Sequence, residues 1–480
     1  MKKIILLFAV SLLFFSYSFS QLVGNQWIQY SQSYYKVYVH EDGIYRIDYN
    51  TLLNAGIPVT TINPKNFHII GRGQEEYIFV KGESDNFFNP GDYIEFYGKK
   101  NDGWLDSLLY IKPSYQVNLN YSLFSDSAAY FITWDNSTNH KRMTIENDIN
   151  FASYSPVSYI FKTTRQDYTG TYFAGYIDAT GISDPEYTLG EGWFDSEINL
   201  DYPTTTKAIP TKNAYTTGPP AKVDFVVVGA SNFAQLHPNH HLRIQFMNTT
   251  VDSIYDGYKV LKFHFEKPNN LLGATTTDFV FSCVNDVSSG ADRNTVAYVQ
   301  IKYAHNLNLE FSRDFHFSIP DAAQAKSFLN FSNMNIAAGD TARVYDLSNH
   351  RRIKVVYDGT NYKSLVPNSG NEKQCYITCE SKVKNVVKIY PVTSSAKFTD
   401  FQQLANAQHT DYYIITHNSL KTEAELYKNY RNSTNYNAMV VDVDELYDQY
   451  SYGILKHPLS IKNFMSDAWY NFVEKPKDLF

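Results

Sequence analysis

The chain reads as mostly β N-terminal domains, sandwich or jelly-roll-like, followed by the incomplete start of a doubly wound α/β domain. Three observations predict this. The 480 residues include 40 Tyr and 32 Phe but only 19% charged residues, a balance that suits pleated, half-wet strands. Short alternating apolar runs recur from Gln21 onward, divided by Gly, Asn and Asp turns. From Asp411 the pattern changes to strand, helix, strand, helix, strand, the opening of a parallel sheet.

Residues 1–20 carry the marks of a removable export signal. Lys2 and Lys3 precede the apolar run IILLFAVSLLFF, and Ser18-Phe19-Ser20 supplies small residues before Gln21. The run is short for a membrane span, and no later segment reaches about 18 apolar residues. An exported chain that is not transmembrane after signal removal is expected.

Residues 21–150 are expected to form an N-terminal β domain. SYYKVYVHEDGIYRIDY reads as a hairpin, with Tyr35, Val37 and Val39 alternating and Asp42-Gly43 at the turn. Asn50 is placed to cap the short helix TLLNAG, closed by Gly56. FHIIGRG, EYIFVKG, DYIEFYG and AAYFITW are further strands. Gly71-Arg72-Gly73 lacks the downstream helix of a phosphate loop and reads as a plain turn.

Residues 151–395 are expected to form a β-sandwich-like domain. After the Thr/Pro-rich connection Pro203–Pro220, the runs KVDFVVVGAS, HLRIQFMN, YKVLKFHF, TDFVFSCVN and NTVAYVQIKYAH follow at regular spacing. Packing support for the next domain is the preferred role, with glycan or partner binding as the other reading.

Residues 396–480 are expected to be the truncated start of the α/β domain. DYYIIT is a buried strand, Thr422 and Glu425 stand at capping-box spacing, and Leu426, Tyr427 and Tyr430 share a helical face. NAMVVDVDE is the second strand. A helix entered at Pro458 places Ile461, Phe464, Met465, Ala468, Trp469 and Phe472 on one stripe. Lys475–Phe480 leads into a third strand. Parallel sheets usually have about 4–6 strands with both faces covered, so the chain is expected to be the front of a longer protein.

Net charge is −7 with no long basic run, which disfavours nucleic-acid binding. Three cysteines, Cys283, Cys375 and Cys379, do not make a disulfide framework and read as buried thiols. His237, His240 and His241 in QLHPNHH fit a metal site loosely, and a polar loop is the preferred reading. His417 after the first parallel strand, and Asp442, Asp444 and Glu445 after the second, stand where such sheets place ligands. They would line a cleft or hold a calcium ion. Alternatively, Asp444 caps the next turn and His417 leads its own helix. No other cofactor is expected.

DYYIITH, VVDVDELYDQYSYGILKHPLSIKNFM and KPKDLF together resemble the opening of the gingipain-type cysteine peptidase domain. The likeness is nearest to the sortase-like peptidases of the type IX secretion system in Bacteroidetes, with Tyr450 where that pattern more often has Phe. YKVYVHEDGIYRIDYNTLLNAGIP, NPKNFHIIGRGQE and DYIEFYGKKNDGWLD resemble the N-terminal region of the same proteins. The resemblance implies cysteine-type proteolysis of C-terminal signals on secreted cargo proteins, with other secretion-system components as partners. It implies a catalytic His and Cys after later strands, beyond Phe480. No catalytic, cofactor-binding or metal residue can therefore be carried onto this chain, which is expected to be inactive alone. The alternative is a non-catalytic exported β-rich binding or scaffold protein.

Overall fold

Tyr35, Val37 and Val39 are buried on one face while Lys36 and Tyr38 lie half-buried on the other, and this alternation sets the first sheet. In the computed structural model, residues 23–176, 184, 186–233, 235–287 and 292–480 are described; the export-signal reading of 1–20 lies outside them. The first sheet runs in the order Tyr390–Pro391, Tyr35–Val39, Ala128–Trp134, Phe67–Gly71 and Gln74–Glu75. A second sheet, Lys384–Asn385, Gly43–Asp48, Tyr93–Gly98 and Ile78–Val80, packs on it. Val37, Ile47, Phe67, Ile69, Ile94, Phe96 and Ile132 fill the space between them.

The expected hairpin is therefore corrected. Tyr35–Val39 pairs with Ala128–Trp134, and Gly43–Asp48 pairs with Tyr93–Gly98. The Asp42-Gly43 turn carries the chain from one layer to the other. Both strands carry an apolar face, and facing layers bury the two against each other. The helix Tyr49–Asn54 is capped by Asp48, whose side chain accepts from Thr51 N, rather than by Asn50, which lies within the first turn. Asp48 ends its strand extended, as an N-cap requires. Gly56 closes the helix at φ +85°. Arg72 and Gly73, at φ 51° and 73°, form the two-residue loop of a hairpin that pairs Gly71 with Gln74.

The middle of the chain builds one nine-stranded sheet. Its order is Val260–Lys267, Ala221–Gly229, Asn294–His305, Ile160–Asp167, Asp314–Ile319, Lys373–Cys379, Ala342–Asp346, Arg351–Lys354 and Thr144–Glu146. One half is covered by Thr204–Pro210, Thr276–Cys283, His240–Phe246 and Thr249–Tyr255 around Phe225, Phe246, Phe279 and Phe281. The other half is covered by Lys326–Phe331, Tyr362–Pro367 and Val356–Tyr357 around Phe317, Phe331, Val344 and Ile377. Two sandwiches thus share a sheet. Cys375 and Cys379 lie on one buried face of their strand, and all three cysteines are free, buried thiols. Pairing crosses residue 150 in both directions: Thr144–Glu146 joins the long sheet, and 384–391 returns to close the first two.

The C-terminal lobe is a parallel three-stranded sheet in the order Ala438–Asp442, Tyr412–Thr416, Asp478–Leu479. Helices Phe401–Gln408, Lys421–Asn432, Val443–Tyr450 and Leu459–Asn471 surround it. The helix Val443–Tyr450 stands where sequence reading saw only an acidic strand end and a connection. Nor does a capping box form. Lys421–Asn432 continues from a 3-10 turn at Asn418–Leu420, which leaves Thr422 inside the helix and its start without a side-chain cap. Ala424 and Tyr427 face the sheet, whereas Leu426 is 67% exposed and Tyr430 57%. On Leu459–Asn471 the expected stripe is only partly buried. Phe464, Ala468 and Phe472 are inside, Ile461 and Met465 partly so, and Trp469 points outward.

A buried polar seam seats this lobe on the first sandwich. Lys36 Nζ lies 2.7 Å from Asp448 Oδ2, and His457 Nε2 lies 3.1 Å from Asp106 Oδ1. Asp106 also accepts from Leu123 N at 2.6 Å and Ser122 Oγ at 3.2 Å. Asn25 donates to Asp467 at 3.2 Å and Tyr30 to Gln449 at 3.3 Å. Burial pushes the Asp448 carboxyl up to about 6 although Lys36 opposes the shift. For Lys36, burial works against the charge and Asp448 more than offsets it, so its pKa is raised.

Because Asp448 binds its proton more tightly folded than unfolded, the cost of its ionised form is present above pH 6. That cost is relieved as pH falls toward 3.8. Lys36→Met strands the carboxylate and is expected to cost about 3–5 kcal/mol at pH 7.5. The deficit should shrink at pH 5, as read by urea unfolding at the two pH values. Phe464 packs against the rings of Phe401, Tyr413, Tyr450 and Phe472. Phe464→Ala is expected to destabilise the lobe by about 3–5 kcal/mol in the same measurement.

Candidate functional site

The carboxyl ends of Tyr412–Thr416 and Ala438–Asp442 open into a cleft of ≈ 170 Å³. Thr416, Asn418, Val440, Asp442 and Glu445 line it, with Thr399, Phe401, Leu404 and Lys421 opposite. This is where parallel strands leave their chain turns, and helix starts gather there with their free N–H groups.

The four residues singled out by sequence divide into three roles. His417 and Asp444 come together: His417 Nε2 lies 3.4 Å from Asp444 Oδ2, and the side chains are 56% and 48% exposed. His417 also leads its own turn, its Nδ1 accepting from Ser419 N at 3.2 Å. Asp442, not Asp444, is the cap. Its Oδ1 accepts from Asp444 N at 3.1 Å, because the strand ends extended at that residue. Glu445 is buried and structural, accepting from Thr399 N at 2.6 Å, Thr399 Oγ1 at 3.1 Å and Gln449 Nε2 at 3.1 Å. Burial raises its pKa against those three donors. The three acids thus do different work and do not converge on one ion. Thr399, in a connecting loop, and Phe401, at the start of the helix Phe401–Gln408, precede the first parallel strand, and sequence reading missed them because no motif marks such residues.

The histidines of QLHPNHH correct the polar-loop reading. His240 and His241 open the strand His240–Phe246 and are buried. Each takes its own carboxylate: His240 Nδ1 lies 3.1 Å from Asp292, His241 Nδ1 2.8 Å from Asp286, and exposed His237 Nδ1 3.1 Å from Asp256. They form no shared ligand set. Cys283 Sγ lies 3.6 Å from the Asp292 carbonyl, and burial together with Asp292 pushes its thiol pKa up. His240 has both ring nitrogens engaged, by Asp292 and by the Ser231 carbonyl at 3.0 Å. A thiol kept protonated beside a committed imidazole is not a nucleophile.

The sequence pattern of Peptidase family C25 matches residues 405–480, the segment that forms the parallel sheet and most of the cleft lining. The fold is similar to the crystal structure of dimeric latent PorU from Porphyromonas gingivalis, with a TM-score of 0.57 at 13% identity over 94% of this chain. The chain spans 41% of the PorU chain that it matches. A plant receptor-like kinase, FER, aligns at 12% identity over 58% of this chain and 79% of its own, with a TM-score of 0.16 that carries no fold argument. No curated protein matches. The chain therefore combines a PorU-like fold along most of its length with a C-terminal segment, 405–480, that matches the gingipain peptidase family C25.

Proposed function

We propose that these residues are the N-terminal portion of an exported gingipain-like cysteine peptidase. On this reading it is a type IX secretion system sortase that cleaves C-terminal signals of cargo proteins. The observation that carries the reading is where the family C25 match falls. It covers a parallel sheet with a cleft at the carboxyl ends of two strands, and His417 and Asp444, next in sequence to lining residues, pair at the exposed surface.

The three thiols of the chain are all buried in the β region, at Cys283, Cys375 and Cys379. The proposed chemistry needs a thiolate beside an imidazole and a pair of oxyanion donors, so the catalytic His and Cys are assigned to sequence after Phe480. The lobe's share of the work is to form one wall of the cleft and to hold it rigid. Asp442 fixes the helix that carries Asp444, and Glu445 ties that helix to the loop at Thr399. Cargo proteins and other secretion-system components are the proposed partners, and export to the periplasm or cell surface the proposed location. Among the described residues no helix is long and apolar enough to cross a membrane.

The purified 480-residue chain is expected to leave peptides bearing C-terminal sorting signals intact, with or without a thiol alkylator. A gene product extended past Phe480 should cleave them and lose that activity on alkylation. Thiol-dependent cleavage by the 480-residue chain, or an extended product without it, would sink the proposal. The second outcome would favour a binding or scaffold role. Within the extended product, Asp442→Ala is expected to cost about 1 kcal/mol of stability through the lost cap, read as a lower urea midpoint.

A further inference from the structure

Two histidines far apart in sequence meet at the edge of the first sandwich. His68 is the second residue of the strand Phe67–Gly71, and His140 lies in the loop after Ala128–Trp134, the strand that pairs with it. Their rings stack at 4.0 Å between centroids with 16° between planes. Asp135 follows the second strand directly, and Glu75 comes from the adjoining hairpin strand Gln74–Glu75. Among the described residues, ligand atoms of His68, Asp135 and His140 lie within 4.8 Å of one another, and they are the set that converges in this way.

The hydrogen-bond partners assign a role to each ring nitrogen. His68 Nδ1 lies 3.3 Å from the Asn66 carbonyl, so that nitrogen carries the proton and Nε2 keeps the lone pair. His140 Nδ1 faces Glu75 Oε1 at 3.4 Å, while Nε2 faces Asp135 Oδ1 at 2.9 Å. A metal-bound histidine donates its other N–H to a carbonyl or carboxylate, which fixes the ring and its tautomer. His68 has that arrangement here, and His140 has the Glu75 carboxylate within ion-pair reach of Nδ1, while its Nε2 hydrogen bond to Asp135 is the one an ion would replace.

We propose that His68 Nε2, His140 Nε2 and the Asp135 carboxylate form a zinc site, oriented from behind by the Asn66 carbonyl and Glu75. Two ligands held about 2.0–2.1 Å from one zinc lie about 2.9 Å apart at a right angle and about 3.4 Å apart at the tetrahedral angle. His140 Nε2 and Asp135 Oδ1 already stand at 2.9 Å. Drawing in His68 needs a contraction of at most about 1.5 Å, which a tilt of its ring supplies. Imidazole nitrogen with one carboxylate selects a borderline ion such as zinc over calcium, which takes oxygen ligands. The side chains of Asp135 and Glu75 are 31% and 26% exposed, so the ion reaches the site from solvent. Three protein ligands leave a fourth position for water. The site lies in the first sandwich and spans its hairpin and the loop that joins Trp134 to Thr144, so its occupancy clamps that edge of the sheet.

The test is a zinc titration of the full chain, stripped with chelator and then competed against a chromogenic zinc indicator, with bound metal counted by elemental analysis. One zinc per chain is expected. His140→Gln and Asp135→Asn should each weaken it at least tenfold, whereas His241→Asn, at a different histidine–carboxylate cluster, should leave it unchanged. A wild-type chain that takes up no zinc, or variants at 135 and 140 that hold it as tightly, would overturn the site, as would loss of the ion in His241→Asn. If His140→Gln fails the circular-dichroism check for folding, Asp135→Asn at the surface decides, with Co²⁺ absorption as a second readout. The nitrogen–oxygen ligand bands should be present in the wild type and lost in the variant. Their persistence in Asp135→Asn counts against the site.

Discussion

Everything about the C-terminal lobe depends on how an ionised pair is kept inside the protein. Lys36 and Asp448 meet across the boundary between the first sandwich and the lobe with the carboxylate almost fully buried. Desolvating two charges costs several kcal/mol each unless geometry and further hydrogen bonds offset it. Here the offset is incomplete, as the raised Asp448 pKa shows. The pair is therefore better understood as a device of placement than as a source of stability. It admits one docking of the lobe, because any sliding would leave a charge buried alone. The buried contact of His457 with Asp106 fixes the lobe at a second point along the seam.

That placement is what gives the cleft its form. Helix Val443–Tyr450 carries Asp448 on the docked side, and Glu445 ties it to the loop at Thr399. Asp444 extends to the rim beside His417. A single two-turn helix thus connects the docking seam to the cleft wall. The PorU-like fold extends along most of the chain, and the C25 match falls on the lobe that this helix belongs to.

Much of the fold was legible. KVDFVVVG, HLRIQF and NTVAYVQIKYAH read correctly as strands from their short apolar runs at regular spacing, although each buries consecutive residues over part of its length. Partner choice was not legible. Tyr35–Val39 and Gly43–Asp48 carry a good hairpin turn between them, yet each strand pairs with a distant one. Local turn chemistry lost to the burial of two apolar faces. In the site, the positions of His417 and the acids after Val441 followed from topology alone. Their division into rim, cap and tether did not, because it turns on one backbone angle at Asp442 and on a loop residue, Thr399. Leu426 and Tyr430 were misjudged for a related reason: an apolar helical stripe does not say which part of it meets the sheet. His68 and His140 left no signal, since only the pairing of Phe67–Gly71 with Ala128–Trp134 brings His68 beside the loop that carries His140.

The return of residues 384–391 to the first two sheets has a temporal consequence. Tyr390–Pro391 and Lys384–Asn385 occupy the edges beside Tyr35–Val39 and Gly43–Asp48. Those early strands are synthesised with their edges bare until the whole middle region has followed. Lys36 waits longer still, for a partner 412 residues away. Bare edges with alternating apolar faces are templates for wrong pairing, and non-local pairing of this reach is slow. A chain threaded this way must be kept from its neighbours while it folds, and the two sandwiches on the long sheet can settle before the domain that precedes them.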